Sequence, residues 1–207
     1  MLPLDIIPVG TTVQTLVTEV VPEVHARLVE EGGPDEELAI AVRIDGSGSW
    51  TLRIRRNVMT VDEGEDQRVS MWLYATTRDV ERFLEDALGP GRLGSKTLQR
   101  GGVSTVTDPR VIKRLALASG RIELAVHDES DERIAMVLGF GGAARRPIDP
   151  VAPDAVVEAQ IATVERVLRG QIAPDEALGS GAVTVRGSRL LPMQLALAMA
   201  PFWKFKP

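Results

Sequence analysis

The chain has 207 residues, 44% of them hydrophobic and 26% charged, enough to bury one sizeable core or two small ones and too apolar for disorder over most of its length. Its 24 basic and 29 acidic residues leave a net charge of −5, the wrong sign for a protein that works on nucleic acid or on an anionic membrane surface. Cysteine is absent, which excludes disulfides, thiolate metal sites and cysteine nucleophiles, and two histidines, His25 and His127, are too few for a histidine-rich metal site. Neither a metal nor another cofactor is expected.

The N-terminal stretch MLPLDIIPVG has no basic region, carries Asp5 and is interrupted by Pro3 and Pro8, so it does not read as a signal peptide. No apolar run approaches the roughly 20 residues that a membrane-spanning helix needs. A cytoplasmic protein without a transmembrane segment is expected, with this stretch folded on as an arm. Residues 12–31 set Val13, Leu16, Val17, Val20, Val21, Val24 and Leu28 on one side of a helix that must dock on something, with a kink or split at Pro22.

Beyond it, Leu38, Ile40, Val42 and Ile44 alternate with Ala39, Ala41 and Arg43, and Trp50, Leu52 and Ile54 alternate with Thr51, Arg53 and Arg55. Such alternation predicts half-buried strands, and Asp45 to Ser49 between them is a turn by composition. Residues 62–66, rich in Asp and Glu, read as a solvated loop. A third strand over residues 68–76 places Val69, Met71, Leu73 and Ala75 on one side and runs into a short helix with its N-cap at Thr77 and the apolar stripe Val80, Phe83, Leu84, Leu88. Gly89-Pro90-Gly91 breaks it. A strand over 103–107 and an Ala/Leu helix over 109–119 follow.

The same order then recurs. Ile40-Ala41-Val42-Arg43 aligns with Leu124-Ala125-Val126-His127, Trp50 to Ile54 with Ile134 to Leu138, and Asp79 to Leu84 with Thr163 to Leu168, each at an offset of 84 residues. At an offset of 80, Leu98, Gly101 and Val103 match Leu178, Gly181 and Val183, and Leu115-Ala116-Leu117-Ala118 recurs as Leu195-Ala196-Leu197-Ala198. Collinear matches at nearly constant spacing predict an internal duplication. The second copy has strands at 122–127, 134–140 and 155–161, an N-cap at Thr163, a helix with Val164, Val167 and Leu168, a strand at 182–186 and a closing helix over 188–200. The division expected is an arm and helix over 1–36, a first repeat over 37–119 and a second over 120–207. The fold class is therefore α+β, a mainly antiparallel sheet or sheets covered by helices, with a β-β-β-α-β-α unit duplicated after an N-terminal helix. No linker separates the copies, so their sheets are expected to be neighbours or one continuous sheet.

Trp50-Thr51-Leu52-Arg53-Ile54 after a Gly/Ser turn, Val164-Glu165-Arg166-Val167-Leu168-Arg169-Gly170, and Ala177-Leu178-Gly179-Ser180-Gly181-Ala182-Val183-Thr184-Val185-Arg186-Gly187 together resemble the sterol carrier protein 2 domain. In that family a strand leads to a helix with a Leu-Leu-x-Gly step, then an Ala-x-x-x-Gly-x-Val-x-Val-x-Gly-Asp strand and a final apolar helix. Residues 155–200 carry the resemblance best. Gly101 to Asp108 is a degraded form of the closing step, without a glycine at Asp108. The resemblance implies a sheet covered by helices and an apolar tunnel that takes lipid, sterol, fatty acyl or isoprenoid molecules, usually without a covalent cofactor. A tandem pair departs from the usual single domain.

Cavity-lining candidates follow from the apolar phases: Met71, Leu73, Met136, Leu138, Phe140, Val157, Leu168, Leu191, Leu195 and Met199. The plain alternative is that these side chains simply fill a core. The tail Pro201 to Pro207, with Phe202, Trp203 and Phe205 among lysines, suits a lid, a transient membrane contact, a strap or a partner contact. Trp72 and Tyr74, on the strand face opposite Met71 and Leu73, are taken as an exposed pair marking an interface with a protein partner or a second copy. His25 and His127 read as surface polar residues. Gly139-Phe140-Gly141-Gly142 opens no convincing helix to cradle phosphate, and Asp62, Glu63, Glu65 and Asp66 lack calcium-loop spacing. Two functions stand: a non-catalytic carrier for an apolar ligand, and an assembly protein with a filled core.

Overall fold

The computed structural model describes residues 10–28, 35, 37–66, 68–84, 114–115, 117–128, 130–141, 152–168 and 171–199. Leu38, Ile40, Val42 and Ile44 lie on one face of strand β1 (Leu38–Asp45), opposite Ile54, Leu52 and Trp50 of β2 (Gly48–Arg55). Gly46 at φ 88° turns the chain between them, with the Ser47 N–H donating to the Ile44 carbonyl. Arg56 and Asn57, both in the left-handed region, form the two-residue turn into β3 (Val58–Glu63), a geometry whose twist matches paired strands. β4 (Met71–Thr76) pairs parallel to β1. The second half adds β5 (Gly120–His127), β6 (Arg133–Phe140), β7 (Ala155–Gln160) and β8 (Val183–Gly187).

All eight form one sheet in the order β3-β2-β1-β4-β6-β5-β7-β8. Only β1–β4 and β5–β7 are parallel, so the sheet is mainly antiparallel. β1 lies between antiparallel β2 and parallel β4, and β5 lies between antiparallel β6 and parallel β7. The hairpin registers also correspond, Ala41 facing Thr51 and Ala125 facing Ala135. The halves join where Met71, Trp72 and Leu73 of β4 pair with Phe140, Gly139 and Leu138 of β6.

Pleating gives this sheet one apolar and one mixed face. An N-terminal helix, α1 (Val13–Thr15) continuing through a π-helical stretch (Leu16–Val20) into α2 (Val21–Leu28), sets Val13, Val17 and Val21 on the apolar face of the first half. Short α3 (Thr77–Arg82) adds Val80 there. In the second half α4 (Ile161–Leu168) follows β7, α5 (Pro174–Gly179) precedes β8, and α6 (Leu190–Met199) lays Leu191 and Leu195 on Ile122, Phe140 and Ala155.

Polar contacts tie the halves together. Asp128, only 5% exposed, accepts the Ser130 and Glu132 backbone N–H groups on Oδ1 and the Arg82 guanidinium on Oδ2 at 2.9 Å. Arg82 also reaches Glu132 at 2.6 Å, and Asp79 Oδ1 accepts the Ala135 N–H. Within the second half, Asp154 ties β5 and the end of β8 to the start of β7. Its backbone donates to the Arg121 carbonyl and accepts from Ser188, while Oδ2 accepts the Arg121 N–H at 2.7 Å.

Several expectations are corrected. The first half contains a further strand, β3, which absorbs Asp62 and Glu63 of the expected loop; the Arg56-Asn57 turn that creates it carries no glycine or proline to mark it. The N-cap is Thr76, which accepts from the Asp79 N–H, rather than Thr77, and Thr163 lies inside α4. Val69 precedes β4 and packs with Ala39, Ala41 and Trp72 on the mixed face, because β4 begins only at Met71. Trp72 is 2% exposed, not an exposed marker, since the small side chains of Ala39 and Ala41 make room for its indole. His25 is likewise 2% exposed, because it lies on the docked side of α2. Helix α5 was not anticipated, although Pro174 at its first turn with Asp175 and Glu176 is a helix-start signal. Pro22 falls within the first turn of α2, and the irregularity lies just before it as the π-helical stretch. The strand over 103–107, Leu88, Gly89 to Gly91, Gly170 and the tail with Phe202, Trp203 and Phe205 lie outside the described residues.

Candidate functional site

The apolar face is continuous across the sheet, and each half has a buried centre with partly buried residues beside it, Met59, Val61 and Val80 in the first half. In the first, Leu38, Ile40, Val42, Ile44, Trp50, Leu52 and Ile54 are all buried beneath the N-terminal helix. In the second, Ile122, Phe140, Ala155 and Leu191 are buried with Leu115 and Ala118, whereas Leu124, Leu138, Val157, Leu195 and the adjoining Met71 are only partly buried against them. Leu73 faces Leu138, and Met136 faces Leu124, and both are also half-buried.

Of the ten predicted lining residues, Met71, Leu73, Met136, Leu138, Phe140, Val157, Leu191 and Leu195 therefore share this face. Phe140 and Leu191 form its buried end. The side chains of Leu168 and Met199 lie outside the described residues. Leu124 and Ile122 were missed as lining residues although the alternation of β5 already put them in phase with Val126. Asp154, which braces this end, was also missed, whereas Gly187 stands in the closing motif quoted from the sequence. Gly187, at φ 82°, would bring a Cβ to 2.4 Å from the Asp154 carbonyl oxygen, so the close approach of β8 to Asp154 requires glycine.

The mixed face is chemically different. In the first half, residues 64–66 and 68–69 lie over it, with Asp66 held below the usual carboxylate range by the Arg68 N–H and the Arg53 guanidinium. Thr51 donates to the Gly64 carbonyl beneath that loop. In the second half Glu123, Arg133, Glu158 and Arg186 form an ion-pair chain. At the β3 edge an open depression of about 420 Å³ is lined by Glu37, Arg53, Arg55, Arg56, Val58 and Thr60 and includes none of the predicted apolar residues. Its charges are largely matched, Arg53 with Glu37 and Arg56 with Asp35. His127 Nδ1 lies 3.3 Å from Asp131 Oδ1 at the rim of the sheet. Among the described residues no three acidic or histidine side chains converge to hold a metal ion, and no helix is long and apolar enough to cross a membrane.

No protein-family model matches the sequence, and no curated protein matches it. Solved structures do. The sterol carrier protein domain 2 of Helicoverpa armigera overlaps 57% of this chain and 91% of its own at 15% identity and a TM-score of 0.39. Sterol carrier protein 2 like 2 of Aedes aegypti overlaps 51% and 91% at 14% identity and a TM-score of 0.33. Sterol carrier protein 2 of Yarrowia lipolytica, in its apo form, overlaps 49% and 83% at 12% identity and a TM-score of 0.34. The chain is similar to sterol carrier protein 2 domains over about half its length. These overlaps are partial.

Proposed function

We propose that the protein is a non-catalytic cytoplasmic carrier or binding protein for an apolar ligand, a lipid, sterol, fatty acyl or isoprenoid molecule, held against the apolar face of the second half. One observation supports this: Met71 and Leu73 of β4 and Leu124, Met136, Leu138, Val157 and Leu195 of the second half form a contiguous, partly buried apolar stretch that starts where the halves of the sheet meet. Contiguous apolar surface left in contact with water marks a binding surface more often than a flaw in packing. Methionines among them adapt to ligands of differing shape. In this reading residues 37–119 and 120–207 are two copies of one unit, the first serving as scaffold and the second holding the ligand. The names of the similar structures, which are sterol carriers, point the same way.

The test is native mass spectrometry and lipid extraction of the purified full chain, followed by titration with a fluorescent fatty acid. Copurifying acyl, sterol or isoprenoid molecules, or saturable probe binding, is the expected outcome. An empty protein that also leaves the probe unbound would favour the alternative of a filled-core assembly protein.

A further inference from the structure

Strands β3 and β8 are the two edges of the sheet. On β3, Val58, Thr60, Asp62 and Glu63 are exposed, and Val58 presents an apolar side chain to water at 56%. Helix α2 meets β3 from the apolar face, and no strand pairs with its outer side among the described residues. The direction of the backbone groups follows from the register. The Gly64 N–H donates to the Ser49 carbonyl, so the hydrogen-bonded pairs of the β2–β3 ladder alternate from there to Asp62–Thr51, Thr60–Arg53 and Val58–Arg55. Met59, Val61 and Glu63 therefore turn their N–H and C=O groups away from β2, toward the open edge. Such a row invites pairing with another strand, and β3 carries no lysine, proline or bulge to prevent it.

Charge selects the strand that fits. At the start of β3, Arg55 and Arg56 share one acid, Asp35, at 4.0 and 2.6 Å. At its end, Asp62 shares Arg53 with Glu37 and Asp66, and Glu63 has no ion pair among the described residues. A two-fold axis through Thr60 reverses one β3 against another and lays each surplus beside its opposite. Met59 then faces Val61 of the second copy, which engages the outward backbone groups and extends the apolar face. Asp62 faces Val58 of the second copy, next in the row to its Arg55, at the open depression lined by Arg55, Arg56, Val58 and Thr60. Strand β8 carries Arg186 and no acid, so the same operation there brings no opposite charges together.

We propose that β3 is a homodimer interface, pairing antiparallel with β3 of a second copy about a two-fold axis at Thr60 to give one continuous sheet. A single short strand from each copy makes a small interface, so the dimer is a reversible one. This edge belongs to the first half of the sheet and does not depend on the ligand reading.

The test is sedimentation equilibrium of the full chain from about 10 μM to 1 mM, where a monomer–dimer equilibrium is expected. Thr60→Lys and Thr60→Glu each set like charges face to face across the axis. Each should dimerise at least about fivefold more weakly than the parent, and an equimolar mixture of the two should recover the parental association. Thr60 is exposed, and circular dichroism checks that both variants fold. Should either fail to fold, Thr60→Cys serves, because in a chain without cysteine it alone can crosslink. Facing residues of a non-hydrogen-bonded pair stand about 4.5 Å apart at Cα, within disulfide reach. A disulfide-linked dimer on mild oxidation is expected from Thr60→Cys and not from Val58→Cys, whose copies lie on opposite sides of the axis. A monomeric parent, charge variants that associate like the parent, a mixture that associates no better than its components, or cysteine variants that crosslink alike or not at all overturns the proposal.

Discussion

Replacing Leu138 by Ala separates a ligand face from an ordinary core. Leu138 is only partly buried, whereas Ile122, its register partner on β5, is 2% exposed. Truncating a fully buried side chain such as Ile122 removes transfer energy and leaves a cavity, about 2–5 kcal/mol in all. Because the protein itself makes most of that contact, Leu138→Ala should cost about 1–3 kcal/mol of stability. The smaller remaining surface is available to a ligand. Removing three carbons at about 0.8 kcal/mol each, of which roughly a third contact the ligand, weakens binding by about 0.8 kcal/mol, or about fourfold. Urea unfolding measures the first quantity and competition with a fluorescent fatty acid the second. Ile122→Ala should show the converse, a large loss of stability with a smaller change in affinity per folded molecule. Equal destabilisation by the two substitutions, with probe affinity unchanged in Leu138→Ala, would identify the face as packed core.

Burial holds the His25 imidazole below its ordinary pKa of 6.5, so the folded state disfavours the proton that the unfolded chain accepts. Stability is therefore expected to fall as pH drops below 6.5 and to level off below the folded value; subtracting the profile of His25→Phe isolates this term, and parallel profiles would exclude it. Asp128→Ala removes the acceptor of two backbone N–H groups and an Arg82 contact, for an expected loss of about 2–3 kcal/mol seen by chemical unfolding, with Asp128→Asn milder. Gly187→Ala should cost about 1–3 kcal/mol through its positive φ and the contact with Asp154, and a Tm within error of the parent would show that β8 can shift without penalty.

Much of this architecture was legible in the residues. Alternation in Leu38 to Ile44 and Ile122 to Val126 fixes which side chains share a face, because a strand's period of two admits no other assignment. The α+β class and the shared phase of Met71 with Leu73 and of Met136 with Leu138 and Phe140 follow from it, whereas Leu191 and Leu195 reach that face on helix α6. Signals of this kind are local, and they fail in short elements: β3 begins at an Arg-Asn turn without glycine, and α5, though Pro174 marks its start, is six residues long, too short to show a helical period.

Tertiary structure decided the rest. Nothing in β4 or β6 specifies that Trp72 should pair with Gly139, yet that pairing merges the halves and brings Arg121 into the same row. Burial of Trp72 depends on Ala39 and Ala41 and that of His25 on the docking of α2, contacts between residues distant in the chain. Composition and periodicity specify what each element must hide. Which element hides it, and which polar groups are enclosed in doing so, is set by strand order, because the free energy of burial depends on neighbours brought together only by the folded sheet.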